Sequence, residues 1–207
     1  MVHVIDHPLA KVRLSRMRNI ETDSRDFRLN LVELSQFMTY PATKDFETVE
    51  MKVKTPCGIA TGYKLKDNVT LVPILRAGLG MVDGFKSRLP GAAIGFIGLY
   101  RNEQTLEAIE YYCKMPENIA NSNVIVLDPM LATANSTIKA VNIIKAKYKP
   151  KSIRVVNIIA APEGIKAFTK AHPDVDVFVS QIDEKLNEHG YIVPGLGDAG
   201  DRIFGTK

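Results

Sequence analysis

In the stretch NVIVLDPMLATANSTIKAVNII, Asn123 to Ile144, four apolar residues end in an acid and a proline and then give way to small hydroxyl and amide side chains. Val124 to Leu127 are β-branched or aliphatic, as a strand buried on both faces of a parallel sheet requires. Asp128 stands where that strand leaves the core. Thr133, Asn135 and Ser136 are good N-cap residues, and Ile138, Val141 and Ile144 follow at near-helical spacing, so the segment reads strand, loop, helix. Such a loop presents free backbone N–H groups to an anion. A helix start capped by its own hydroxyls, with no ligand, would use the same residue types. Asp128 favours a ligand, because a carboxylate repels a phosphate yet suits the hydroxyls of a sugar that carries one. The predicted chemistry is recognition of a sugar phosphate.

Three more apolar stretches carry similar punctuation. TLVPIL (Thr70 to Leu75) leads into RAGLG, AAIGFIGLY (Ala92 to Tyr100) into RNE, and IRVVNIIA (Ile153 to Ala160) into APEG. With VIVL they make four candidate strands, and helical segments fit between several of them. The predicted fold is α/β, a mainly parallel sheet flanked by helices. In such sheets ligands collect at the carboxyl ends of strands, where Arg76, Arg101 and Asp128 all fall. Pro73 is a complication, since proline lacks a ladder donor and normally sits at an edge or bulge. Phe27, Leu31, Leu34 and Met38 recur at i, i+4, i+7 and i+11, marking an amphipathic helix. The stretch EQTLEAIEYYCKMPENIANSN reads as a helix or as a hairpin arm covering the site.

A chain of 207 residues with 45% hydrophobic content fits one large domain with a sizeable core, which excludes disordered and fibrous classes. The net charge of +4 comes from scattered basic residues, so a solvated surface, anionic substrates and RNA all stay open on charge alone. Cys57 and Cys113 form no CxxC pair, which argues against a zinc site or a disulfide framework. The N-terminus lacks an apolar core of signal-peptide length and no run nears 18 apolar residues, so a soluble, cytoplasmic protein with no membrane partner is expected. His7, His172 and His189 show no spacing that suggests a relay or a metal site.

The C-terminal NEHGYIVPGLGDAGDRIFGTK holds five glycines and a proline in 21 residues, too many for a regular element. Tyr191, Ile192, Val193, Leu196, Ile203 and Phe204 are apolar enough to dock it. Asp198 would be a costly ornament in a docked loop, and Asp201 either shares that cost or faces solvent alone. Glycines there would let backbone approach a flat ligand closely.

PILRAGLGM, GLYRNE, VLDPMLAT, AAPEGI and LNEHGYIVPGLGDAGDRIFGTK, in this order and spacing, resemble the uracil phosphoribosyltransferase family from His7 to the C-terminus. The resemblance implies a type I phosphoribosyltransferase-like core over residues 1–207 with a C-terminal hood from about 183. It implies transfer of phosphoribose from 5-phosphoribosyl 1-diphosphate to uracil, giving UMP and diphosphate. Asp128, Pro129, Met130, Leu131, Ala132, Thr133, Ala134, Asn135 and Ser136 would form the phosphoribosyl loop. Arg76 and Arg101 would meet the diphosphate and Asp198 would lie near the sugar, with Asp128, Arg101 and Asp198 carrying the catalytic roles. Ile192, Gly197, Asp198 and Ala199 would line the uracil. Mg²⁺ would be held mainly by substrate and water, with no direct protein ligand. A homodimer or higher homo-oligomer is implied, GTP binding is left open, and nucleic acid is not an expected partner.

The chain departs from the family's loop at one position. Where Ala-Thr-Gly is usual it reads Ala132, Thr133, Ala134, followed by Asn135. With Thr133 and Ser136 flanking a helix start, a negative φ is expected at Ala134. Two alternatives to the uracil reading are a phosphoribosyltransferase for another base and an RNA-binding, nucleotide-sensing regulator on the same fold.

Overall fold

Alternate residues of the VIVL run supply both apolar layers of the molecule. Ile125 and Leu127 join one buried cluster, while Val124 and Val126 join another on the opposite face of the sheet. This two-sided burial explains why the run is continuously apolar. The computed structural model describes residues 1–101 and 108–206, with the backbone alone at Arg101. Asn102 to Glu107, which include most of the RNE motif and the start of the expected arm, lie outside the described residues.

The chain runs β1 (Val2–Val4), α1 (Pro8–Arg18), α2 (Ser24–Thr43), β2 (Thr48–Thr55), β3 (Gly58–Leu65), β4 (Asn68–Leu75) and α3 (Leu79–Arg88). It continues through β5 (Ala93–Ile94), β6 (Phe96–Arg101), β7 (Ala108–Lys114), β8 (Ser122–Leu127), β9 (Met130–Leu131), α4 (Asn135–Lys147) and β10 (Ser152–Ala160). It closes with α5 (Pro162–Ala171), β11 (Asp176–Ile182), β12 (Lys185–Leu186), β13 (Ile192–Val193) and α6 (Ala199–Phe204). The main sheet has the order β1-β11-β10-β8-β4-β6-β7, with β5 on β4 and β9 on β10. Its pairs are parallel except β6 with β7.

Helices α1, α2 and α3 pack on one face through Leu14, Phe27, Leu34 and Phe85. Helices α4 and α5 cover the other through Val141, Ile144 and Phe168. The α/β expectation holds. The four candidate strands are present as β4, β5 with β6, β8 and β10, while the short edge strand β1 and the apolar β11 add to them. Pro73 lies in an interior strand, against the rule of edge placement. It sits where the neighbour of β4 changes from β5, paired at Leu71, to β6, paired at Ile74, so its missing donor falls at a break in the ladder. Of the helix and hairpin readings for the segment after Arg101, the described part is a hairpin strand, β7 against β6.

A second hairpin was not expected. β2 and β3 pair over eight residues each through the two-residue turn Pro56-Cys57, apart from the main sheet, and both strands are largely exposed.

Candidate functional site

Strands β8, β4 and β6 are adjacent and parallel, and their carboxyl ends carry Asp128, Arg76 and Arg101. Between β4 and β8 the chain order reverses direction across the sheet: β8, β10 and β11 step one way, β4 and β6 the other. A crevice forms at such a switch point because the two following connections leave on opposite faces. Arg101 is placed there by its backbone, and its side chain lies outside the described residues.

The loop after β8 has a pinned half and an open half. Asp128 N–H donates to Val156 O at 3.2 Å, and the amides of Ile158 and Ile159 both reach Pro129 O, at 2.9 and 3.1 Å. Ala161 N–H reaches Leu131 O at 3.0 Å, and Asn157 Nδ2 donates to the Asp128 carbonyl at 2.7 Å. Pro129 and Leu131 are buried, with Met130 and Ala132 partly so. The first turn of α5 presses on this half so closely that a Cβ at Gly164 would lie 2.1 Å from Ala132 O. That contact explains the glycine of APEG.

The open half begins at Thr133. Its residues do not cap α4 as their types suggest. The N-cap is Ala134, which has no side-chain acceptor, while Asn135 and Ser136 are exposed at the helix start. The first amides of the 13-residue α4 therefore lack both intrahelical and side-chain partners, at the positive end of the helix dipole. Ala134 also overturns the expected negative φ. It adopts φ 67° and ψ 0°, the left-handed conformation, which costs a residue with a Cβ about 1 to 2 kcal/mol. The expectation failed because it took the helix to begin at Thr133. The Ala134 peptide instead turns the chain before α4, and Ala134 itself is buried in the apolar cluster on the α4 face of the sheet.

Asp128 accepts from Met130 N–H and from the Thr137 hydroxyl, each at 3.4 Å. Burial raises its pKa to about 7, against the smaller opposing pull of these two donors. The residue as a whole is partly exposed at the strand end. It can accept hydrogen bonds from hydroxyls and is poised to change charge near neutral pH.

The C-terminal segment folds over the α1–α2 side. Ile192, Leu196, Ala199 and Ile203 are buried in the core cluster, whereas Tyr191 and Phe204 remain half exposed and do not dock as expected. Gly197 is exposed and Asp198 partly so. Asp198 caps α6, accepting from Asp201 N–H at 2.9 Å. Ile192 and Ala199 can contribute backbone to a ligand, since their side chains are buried. Gly197, Asp198, Asp201 and Arg202 border a cavity of about 490 Å³ shared with Arg18, Thr22 and Asp23. Asp201 does not face solvent alone. It accepts from Arg76 at 3.3 Å and from Thr206 Oγ1 at 2.5 Å, so the strand end of β4 and the C-terminal segment meet through this ion pair.

Several residues of this site went unnoticed in the sequence. Asn157 carried a readable signal, a polar side chain inside an apolar run, and Thr137 was hidden among the hydroxyls of the helix start. Arg202 donates to carbonyls of Met17, Asn19 and Thr22, at least 180 residues earlier, and of nearby Leu196, and stacks 4.5 Å from the Phe27 ring centre, tying the segment down. His7 caps α1 and His172 is buried against Phe168, but His189 is exposed beside Glu188. Among the described residues no three His, Cys, Asp or Glu side chains cluster to hold a metal.

Residues 4–206 match the model of the uracil phosphoribosyltransferase family. The chain belongs to this family. A uracil phosphoribosyltransferase of Ureaplasma parvum is 61% identical over 208 residues, covering 100% of both chains. A protein of Aquifex aeolicus with a solved structure superposes with a TM-score of 0.94 at 40% identity, covering 99% of this chain and 98% of that one. An adenine phosphoribosyltransferase from Trypanosoma brucei, at 13% identity and a TM-score of 0.58, covers 91% of this chain and 87% of its own, and shares the fold. The family match runs through the C-terminal segment to residue 206.

Proposed function

We infer that the protein transfers the phosphoribosyl group of 5-phosphoribosyl 1-diphosphate to uracil, giving UMP and diphosphate. The observation that carries this reading is the uncapped start of α4 beside Asp128, together with the Arg76–Asp201 ion pair that joins the neighbouring strand end to the glycine-rich hood. The open amides of residues 135–137 suit the 5-phosphate, as helix starts do for anions generally. The Asp128 carboxylate suits the ribose hydroxyls. Arg76 and Arg101, at neighbouring strand ends, suit the diphosphate, because a guanidinium is always charged and can meet two phosphate oxygens at once.

In the reaction the bond from the anomeric carbon to uracil N1 forms, the bond to diphosphate breaks, and the N1 proton is lost. The reacting carbon passes through an oxocarbenium-like state, so no protein nucleophile is needed and positioning with charge stabilisation supplies the rate. Asp198 near the sugar and Asp128 below it would offset that developing positive charge. Magnesium, when bound, neutralises the departing diphosphate. Uracil offers an acceptor, a donor and an acceptor along one edge, which the backbone of Ile192, Gly197, Asp198 and Ala199 can read without polar side chains.

The hood, from about residue 183, and the core would act as one phosphoribosyltransferase domain. The exposed β2–β3 hairpin supports a homodimer or higher assembly, since an isolated two-stranded hairpin is marginal in water and Met51, Val53, Ile59 and Tyr63 on it are exposed. Free Cys57 and Cys113 support a reducing compartment, the cytoplasm. No described helix is long and apolar enough to cross a membrane.

Purified protein with uracil, the diphosphate sugar and Mg²⁺ should form UMP, and excess chelator should abolish turnover. Absence of UMP would overturn the reading. An undiminished rate in chelator would overturn the metal dependence.

A further inference from the structure

We propose that Arg18 and Asp183 form a positioning pair that sets where the hood backbone meets the base. The inference rests on the hood being the uracil site. Arg18 ends α1 and Asp183 follows β11, 165 residues apart in sequence. Arg18 Nη1 and Nη2 reach Asp183 Oδ2 and Oδ1 at 2.8 and 2.5 Å, a two-pronged pair.

Both partners also hold the same glycine. Gly195 N–H donates to Asp183 Oδ2 at 2.9 Å, and Gly195 O accepts from Arg18 Nη1 at 2.7 Å. Gly195 is thus fixed at both backbone polar groups. The turn it makes is tight, with φ 63° and no room for a Cβ, which would lie 2.1 Å from Ile192 O. Residues Ile192 on one side of that turn and Gly197 to Ala199 on the other are the backbone proposed to read uracil. A displacement at Gly195 is passed directly to both.

The pair is poorly explained as a stabiliser. A buried ion pair is weak evidence for stability, because desolvation offsets much of the attraction. Asp183 is only 2% exposed and Arg18 24%. The hood is moreover anchored independently by Arg202 on the α1–α2 carbonyls, by Arg28 Nη1 on Ile203 O at 2.7 Å, and by buried Ile192, Leu196 and Ile203. Loss of the pair should leave the hood docked but its reading edge misplaced. Misplacements near 1 Å cost large factors in a site that works by positioning.

The test compares wild type with Arg18→Met, Arg18→Lys and Asp183→Asn, measuring melting temperature and separate KM values for uracil and the diphosphate sugar. Arg18→Met should raise KM for uracil about tenfold or more, change KM for the diphosphate sugar less than about threefold, and narrow the preference for uracil over cytosine. Arg18→Lys, with one prong, should fall between. Asp183→Asn keeps the shape and an acceptor for Gly195 N–H, so it should fold and show the same selective rise even if Arg18→Met does not fold. Folded variants with an unchanged uracil KM, or with both KM values raised alike, would overturn the positioning role. A wild type that makes no UMP would instead overturn the functional reading on which it rests.

Discussion

In the proposed reaction the loop at Asp128 to Ser136 and the hood around Gly195 would both present backbone to a ligand, yet they are built in opposite ways. The loop is left open: its helix start has no side-chain cap, its turn is made by a left-handed alanine, and its one acid is kept near neutrality by burial. The hood is closed with side chains, with Arg18 and Asp183 on Gly195 and with Arg202 on Leu196 and the α1–α2 carbonyls. An anion needs unsatisfied N–H groups and accepts some freedom of approach. Reading a donor and acceptor pattern needs backbone groups that cannot adjust to the wrong base, since rejection comes from leaving buried polar groups unpaired. The two constructions match the two tasks.

The comparison breaks most sharply at Asp128. Asp128→Asn should keep the fold and lower kcat/KM about 100-fold or more, because an amide cannot offset positive charge on the ribose. Steady-state kinetics that match wild type would reduce Asp128 to a strand-end cap. The wild type should also show a rise in kcat/KM for the diphosphate sugar as pH passes through about 7, where the carboxylate forms, and this limb should vanish in the variant.

Stability should move the other way. The pKa of Asp128 is raised on folding, so the native state holds its proton more tightly than the unfolded chain does. Its favourable contribution is complete below about pH 4, the unfolded value, and is lost as pH rises to about 7. Asp128→Asn should therefore be more stable than wild type at pH 8, by on the order of 1 to 3 kcal/mol, and melt at a higher temperature there. Equal melting curves from pH 5 to 8 would show that the acid is not desolvated.

A smaller effect sharpens the openness of the loop. Ala134→Gly relieves the left-handed strain of about 1 to 2 kcal/mol but adds backbone entropy of about 0.5 to 1 kcal/mol. The net gain should raise kcat/KM for the diphosphate sugar about two- to tenfold. No gain, or a loss, would mean that the buried Ala134 methyl contributes more by packing than its φ costs.

Legibility in the sequence followed local order. The strand, loop and helix from Asn123 to Ile144 could be read because apolar run, acid and periodic helix are contiguous and all agree. The hairpin at Thr48 to Leu65 could not be read because none of its residues is fully buried, so its alternation of Val49, Met51 and Val53 points to no core. The left-handed Ala134 could not be read because the residue types favour a cap at Thr133, whereas the helix starts one residue later, after Ala134. Arg18 and Asp183 look like ordinary charges until the fold closes 165 residues between them.

The central claim is that an open loop holds the sugar phosphate while a fixed backbone edge selects the base. Its most direct test is the ratio of kcat/KM for uracil to that for cytosine at saturating diphosphate sugar and Mg²⁺. Cytosine reverses the donor and acceptor at two positions of the edge, and two mispaired buried groups at about 1 to 3 kcal/mol each predict a ratio of about 100 or more. Comparable values for the two bases would contradict the account.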